Sequence, residues 1–254
     1  MATPANRAAN TQPTKLAYPN PPTARKKATT KKTPPTTKEP LSLTQKPSNP
    51  AGKLPITIDA HSTLVVVDIQ NDFCPGGTLP VADGDKIIPI INKYIQFFRD
   101  HHGEIIYTRD WHPPDHSSFK AQGGSWPPHC VQETEGAKFH PNLLPPFPDE
   151  IVSKAERKDE AYSFFQGSDL PRRLKRLGLR LGLRGGTDSL FVGGLATDYC
   201  VKATVLDALR LGFKVFYLDD ASKGVNVNPN DSELAVKEML SHGAQRITMA
   251  DLTG

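Results

Sequence analysis

The sequence predicts an α/β fold: a three-layer, mostly parallel, doubly wound sheet behind a disordered N-terminal arm. Three observations predict it. Composition changes sharply near residue 56. From there, apolar runs of strand length alternate with segments of helical period. Such alternation produces a parallel sheet covered on both faces. Third, chemistry-bearing side chains sit where those runs end, the edge at which open α/β sheets bind ligands.

Residues 1–55 hold ten Lys/Arg and one acid, Glu39, while the whole 254-residue chain is only +4. The remainder is therefore net acidic, and the overall basicity describes the arm. The stretch "TARKKATTKKTPPTTKEP" is rich in Pro, Thr and Lys, with almost no aliphatic clusters. It cannot bury enough apolar surface to offset its ordering entropy, so residues 1–56 read as a disordered arm. A solvated tail is the simpler reading of such an arm, with nucleic acid or an acidic surface as the alternative partner, and nucleic acid is not expected for the acidic domain over 57–254. The arm lacks the apolar core of a secretory signal, and its Lys and Pro content departs from an amphipathic transit helix. No run approaches the roughly 20 apolar residues of a membrane span. Three cysteines, Cys74, Cys130 and Cys200, make no even disulfide framework. Free thiols and a cytoplasmic location are the simpler reading, with organelle targeting by the arm as the alternative.

The elements follow in order. "TLVVVDI" (Thr63–Ile69) is a buried strand, and "DKIIPIINKYIQFFRDH" (Asp85–His101) a helix with Pro89 in its first turn. "GEIIYTRD" (Gly103–Asp110) is the second strand. Arg109–Gly136 is irregular and rich in Pro, His and Gly. "DEIVSKA" (Asp149–Ala155) is a short strand, and "DLPRRLKRLGL" (Asp169–Leu179) a basic helix. "GLRLGLRGG" (Gly178–Gly186) reads as a surface insertion. "SLFVGG" (Ser189–Gly194) is a strand and Cys200–Leu211 a helix. "FKVFYLDD" (Phe213–Asp220), "NDSELAVKEMLSHG" (Asn230–Gly243) and "AQRITMA" (Ala244–Ala250) complete a strand, a helix and a strand.

Asp68, Asp110 and Lys154 end the first three strands, and Cys200 lies just past the fourth. Singly, each has an ordinary explanation: a turn partner, a snorkelling lysine, a small buried thiol. Four at one sheet edge suggest a site. Val201, Thr204, Val205, Ala208 and Leu209 keep helical spacing, with Thr197 or Asp198 as N-cap. That places Cys200 in a first helical turn, where dipole and amides favour a thiolate. A neighbouring Asp could take the thiol proton and return it to a leaving group. Asp110, His112, His116 and His129 lie within twenty residues of irregular chain. Two histidines and a carboxylate suit Zn, Fe or Mn.

Five stretches in collinear order resemble the nicotinamidase/pyrazinamidase branch of the isochorismatase-like cysteine hydrolases. They are "VVVDIQNDFCPGGTLPV", "TRDWHPPDHSSF", "SWPPHCVQETEGAKFHPNL", "KAERKDEAYSFF" and "GGLATDYCVKATVLDA". The resemblance covers about Leu64 to Ala250 and leaves the arm unexplained. It implies a Cys–Asp–Lys triad of Cys200, Asp68 and Lys154. It implies a divalent metal, Zn first with Fe or Mn as alternatives, on Asp110, His112 and His129, with His116 in the place of a further ligand. It also implies a cis peptide at Leu195–Ala196, an oxyanion hole from the amides of Ala196 and Cys200, and a substrate pocket of Phe73, Leu79, Trp126 and Tyr162. The activity implied is hydrolysis of nicotinamide in NAD salvage, by a protein for which a homo-oligomer is an option. A sister amidase acting on a carbamoyl or ureido compound is the nearest rival, but such relatives share the triad without the "DWH…WPPHC" cluster. An inactive binding module recruited by the arm is the rival of another class, and an intact triad argues against it.

Overall fold

A computed structural model describes residues 55–158, 162–166 and 186–253. The arm through residue 54, the basic helix expected over Asp169–Leu179 and most of the "GLRLGLRGG" segment lie outside the described residues.

The strands and helices are β1 (Ile56–Thr57), β2 (Ser62–Val67), α1 (Ile88–Asp100), β3 (Glu104–Asp110), β4 (Ile151–Lys154) and β5 (Ser189–Leu195). Then come α2 (Lys202–Arg210), β6 (Lys214–Lys223), α3 (Asp231–Ser241), β7 (Gln245–Ile247) and β8 (Leu252–Thr253). Among the described residues, six strands form one sheet in the order β4-β3-β2-β5-β6-β7, and β1 pairs with β8 alone. Every pairing is parallel. The doubly wound sheet is therefore as expected, and the strands read from sequence all appear, shortened or extended by a few residues.

Successive residues of a strand face opposite sides of a sheet, and β2 shows why its run had to be apolar throughout. Leu64 and Val66 pack in one core with Ile91, Tyr94, Ile95 and Phe98 of α1. Val65 and Val67 pack in the other with Val205 and Ala208 of α2 and Met239 of α3. All six β2 residues are buried, and each fully buried Val or Leu contributes about 1.5–3 kcal/mol. α1 buries Ile88, Ile91, Tyr94, Ile95 and Phe98, the i, i+3, i+4 stripe that its spacing called for.

Register then carries chemistry to one edge. In β3 and β4, Asp110 lies opposite Lys154. In β2 and β5, Val67 lies opposite Gly194, so Asp68 leaves the sheet beside Leu195, the last residue of β5. Gly194 has φ +134°, and a Cβ there would sit 2.1 Å from the Val67 carbonyl oxygen. Only glycine allows that approach.

Candidate active site

Asp68 turns sharply out of β2 with φ 48°, a left-handed conformation that Asp tolerates better than most residues. Thr108 of the neighbouring strand holds it, donating from Oγ1 to Asp68 Oδ1 at 2.7 Å. Lys154 Nζ lies 2.9 Å from Asp68 Oδ2 and 3.5 Å from Cys200 Sγ. The same ammonium also pairs with Asp110 Oδ1. Asp68, Lys154 and Cys200 are all buried.

A buried lysine between two carboxylates decides the electrostatics. Burial alone would lower Lys154, but Asp110 and Asp68 outweigh it and hold its ammonium charged. Burial likewise opposes ionised Asp110, yet Lys154 and His112 keep that carboxyl well below the usual range. For Asp68 burial wins over the attraction of Lys154, and its pKa is raised. Burial also pushes the Cys200 thiol up, more than Lys154 pulls it down.

That last result corrects the expectation of a preformed thiolate. Burial is its main cause, and the local backbone also differs from the expected capped first turn. Thr197–Val201 is a π-helical turn, so Cys200 precedes α2 and is not in its first turn. Neither Thr197 nor Asp198 acts as a cap; no side-chain cap hydrogen bond forms at this turn. Asp198 reaches instead across the chain to the amides of Val225 and Asn226. The Leu195–Ala196 peptide is cis. The Ala196 carbonyl accepts from the amides of both Tyr199 and Val201, at 3.1 Å each.

Asp110, His112 and His129 bring one donor atom each within 4.8 Å of one another, all buried. The set fits a divalent cation on three observations. His112 Nε2 faces Asp110 Oδ2 at 3.5 Å, too long for a good hydrogen bond, and its buried Nδ1 has no hydrogen-bond partner, a costly arrangement unless something else binds there. His129 places Nδ1 2.8 Å from the Pro127 carbonyl oxygen, which directs Nε2 elsewhere. Burial lowers His129 to about 4, so its imidazole is neutral and able to ligate. His116 lies beside this trio. Its ring lies on that of His112, centroids 4.1 Å apart, and its Nδ1 is 2.8 Å from Ser118 Oγ.

One cavity joins both clusters. Phe73, Leu79, Trp126 and Tyr162 line it, together with Cys200, Asp110, His112 and His129. Trp126 donates from Nε1 to Tyr162 Oη at 3.0 Å, and its ring meets Tyr199 edge-on at 5.4 Å. Val81, Ser118, Leu195, Ala196, Tyr199 and Val225 complete the wall; Val81, Ser118, Tyr199 and Val225 were not anticipated.

Three further residues support the site and were also missed. Gln70 is fully buried and reads the Asp110 backbone in both directions, accepting from its amide and donating to its carbonyl, each at 2.8 Å. Asp72 accepts from the amides of Cys130 (2.7 Å) and Thr78 (3.1 Å), tying the His129 turn to the loop that carries Phe73 and Leu79. Thr108 is the third, through its bond to Asp68. The one available signal was proximity to Asp68 and Asp110 in the chain.

The isochorismatase domain matches residues 62–251. The chain belongs to the isochorismatase family. Within that family it is an amidohydrolase, similar to several nicotinamidases and pyrazinamidases. The nicotinamidase of Escherichia coli is 41% identical over 206 residues, covering 74% of this chain and 95% of the relative. The zinc complex of Pyrococcus horikoshii pyrazinamidase is 47% identical, with a TM-score of 0.67 over 74% of this chain and 99% of that one. PnC1 from L. infantum, solved in complex with nicotinate, is 30% identical with a TM-score of 0.68, covering 79% of this chain and 99% of that one.

Proposed function

We propose that this member of the isochorismatase family hydrolyses nicotinamide to nicotinate and ammonia, through a thioester on Cys200. The observation that carries the reading is the position of Lys154. Its ammonium touches Asp68, Asp110 and Cys200 at once, which makes the nucleophile and the metal-ligand cluster one site.

Cys200 rests as a neutral thiol beside the Asp68 carboxylate. As the sulfur attacks the amide carbon, Asp68 takes its proton. A base of raised pKa is suited to that task. The amides of Ala196 and Cys200 receive the developing oxyanion, while the flanking amides of Tyr199 and Val201 are occupied by the Ala196 carbonyl. Removing one such donor from an oxyanion hole costs about 3–4 kcal/mol. The tetrahedral adduct collapses, the C–N bond breaks, and Asp68 gives its proton to the departing ammonia. Water then attacks the thioester carbon, returning the thiol and releasing the acid. Lys154 keeps Asp68 in place and steadies negative charge on sulfur.

Asp110, His112 and His129 would hold the divalent ion, Zn first. When bound it supplies a Lewis-acidic position for the pyridine nitrogen. Phe73, Leu79, Trp126 and Tyr162 would sandwich the ring and exclude water.

Ammonia release from nicotinamide by the purified, metal-loaded protein tests the reading. Turnover on nicotinamide with none on carbamoyl or ureido compounds is expected; the reverse preference contradicts it. Thr108→Val probes the base. Loss of its hydroxyl removes a hydrogen bond that stabilises ionised Asp68, so the Asp68 pKa rises. The acid limb of kcat/KM, where activity is lost as pH falls, is expected to move to higher pH; an unmoved limb would mean that Asp68 is not the titrating base.

A further inference from the structure

We infer that Asp198 is a positioning residue that sets the substrate size accepted by the pocket, by fixing Val225 in the wall of the cavity that Cys200 also lines. The inference rests on the nicotinamide reading for its substrate.

Asp198 lies two residues before Cys200 and is buried. Both its oxygens are spent on consecutive backbone amides of the segment after β6: Oδ1 accepts from Val225 at 2.9 Å and Oδ2 from Asn226 at 2.7 Å. Carboxylate acceptors make these bonds stronger than neutral ones. The clasped segment is shaped for the grip. Asn226 has φ 51°, and its Oδ1 accepts from the Ser232 amide at 2.9 Å at the start of α3. Gly224 lies so close that a Cβ would sit 3.1 Å from Asp198 Oδ1 and 1.8 Å from Ser232 Oγ. The side chain held by this clasp, Val225, lines the cavity that Cys200 also lines.

The turn that carries Cys200 therefore also holds the Val225 part of the cavity wall, through one carboxylate two residues from the sulfur. Asn at 198 has the same shape but one acceptor. Its amide would face a backbone N–H, and the 225–226 segment must move away. A wall that retreats loses contact with a bare pyridine ring and leaves room for a substituted one. Contacts of methyl size in a pocket are worth roughly 10–200-fold in selectivity.

The test compares nicotinamide with ring-methylated nicotinamides, 5-methylnicotinamide among them, in metal-loaded wild type, Asp198→Asn and Val225→Ala. Asp198→Asn is expected to raise KM for nicotinamide with a smaller change in kcat. It should also shift the kcat/KM preference toward the methylated substrate by about tenfold. Val225→Ala leaves the clasp intact and is expected to shift the preference the same way, and the double variant should shift it little more than either alone. An Asp198→Asn protein that is less stable or slower, with the wild-type preference, would overturn the inference, because a purely structural role changes no selectivity. If Asp198→Asn does not fold, Val225→Ala decides: an unchanged preference there overturns it too. Failure of wild type on nicotinamide would instead refute the substrate reading.

Discussion

Cys200→Ala is expected to abolish nicotinamide hydrolysis, by at least about 10³-fold in kcat, while leaving the melting temperature almost unchanged. Catalytic units of this kind lose most of their rate when the nucleophile alone is removed, because no other group forms the covalent intermediate. The substitution trims one sulfur from a turn whose shape is set by backbone bonds to Ala196 and by the Asp198 clasp. Cys74→Ala and Cys130→Ala are the controls. Both thiols are buried, and burial raises Cys74 to about 11 and Cys130 well above its ordinary value. Cys200 is raised by burial too, so position separates them: only Cys200 lines the cavity and lies against Lys154, and each control variant should retain activity within a few-fold. A Cys130→Ala enzyme as inactive as Cys200→Ala would move the nucleophile to the metal-ligand turn.

Lys154→Met should lose both stability and activity. Lys154 is buried with Asp68 and Asp110, whose ligand atoms lie within 4.8 Å of each other. Without the ammonium, two carboxylates face each other in a dry site. Breaking a buried charge pair from one side costs about 3–5 kcal/mol. For a domain of this size that corresponds to a fall of about 6–20 °C in melting temperature. Thermal unfolding of metal-free protein measures it. Activity should fall with it, since Asp68 would take up a proton and cease to be a base. A variant as stable as wild type would mean that the two carboxylates do not share a buried cation.

Much of this site was legible because it is built on strand ends. Val65–Val67 could only be a strand buried on both faces, and a parallel sheet sends the residues after such strands to one edge. Asp68, Asp110, Lys154 and Cys200 could therefore be grouped before any coordinates. The Asp-x-His spacing at Asp110 and His112 was equally local. What was not legible depends on contacts between distant irregular segments. Asp198 was expected to cap its own helix, as short polar residues before a helix commonly do, yet its partners lie 27 and 28 residues further on. Gln70 bonds the backbone of residue 110, 40 positions away, and nothing periodic marks such a residue. The thiol was misjudged for a related reason. Apolar spacing from Val201 onward does not distinguish a π-helical turn from a first α-helical turn. Nor does it report how completely Val201, Tyr162 and Phe164, all packed in the same cluster, bury the sulfur. Burial was the larger effect.

The most direct test of the joint site compares nicotinamide with benzamide. The two share shape, stacking surface and reacting carboxamide, but benzamide has carbon in place of the ring nitrogen. A pocket of Phe73, Leu79, Trp126 and Tyr162 alone would barely separate them. A site built for a specific polar partner can reject the analogue that lacks it by about 10⁴–10⁵. In metal-loaded wild type, kcat/KM for benzamide is expected at least about 100-fold below that for nicotinamide. His129→Ala should lower nicotinamide turnover and narrow the gap. Comparable kcat/KM for the two substrates in metal-loaded wild type would contradict a site that reads the ring nitrogen, and would make the protein a broader aromatic amidase.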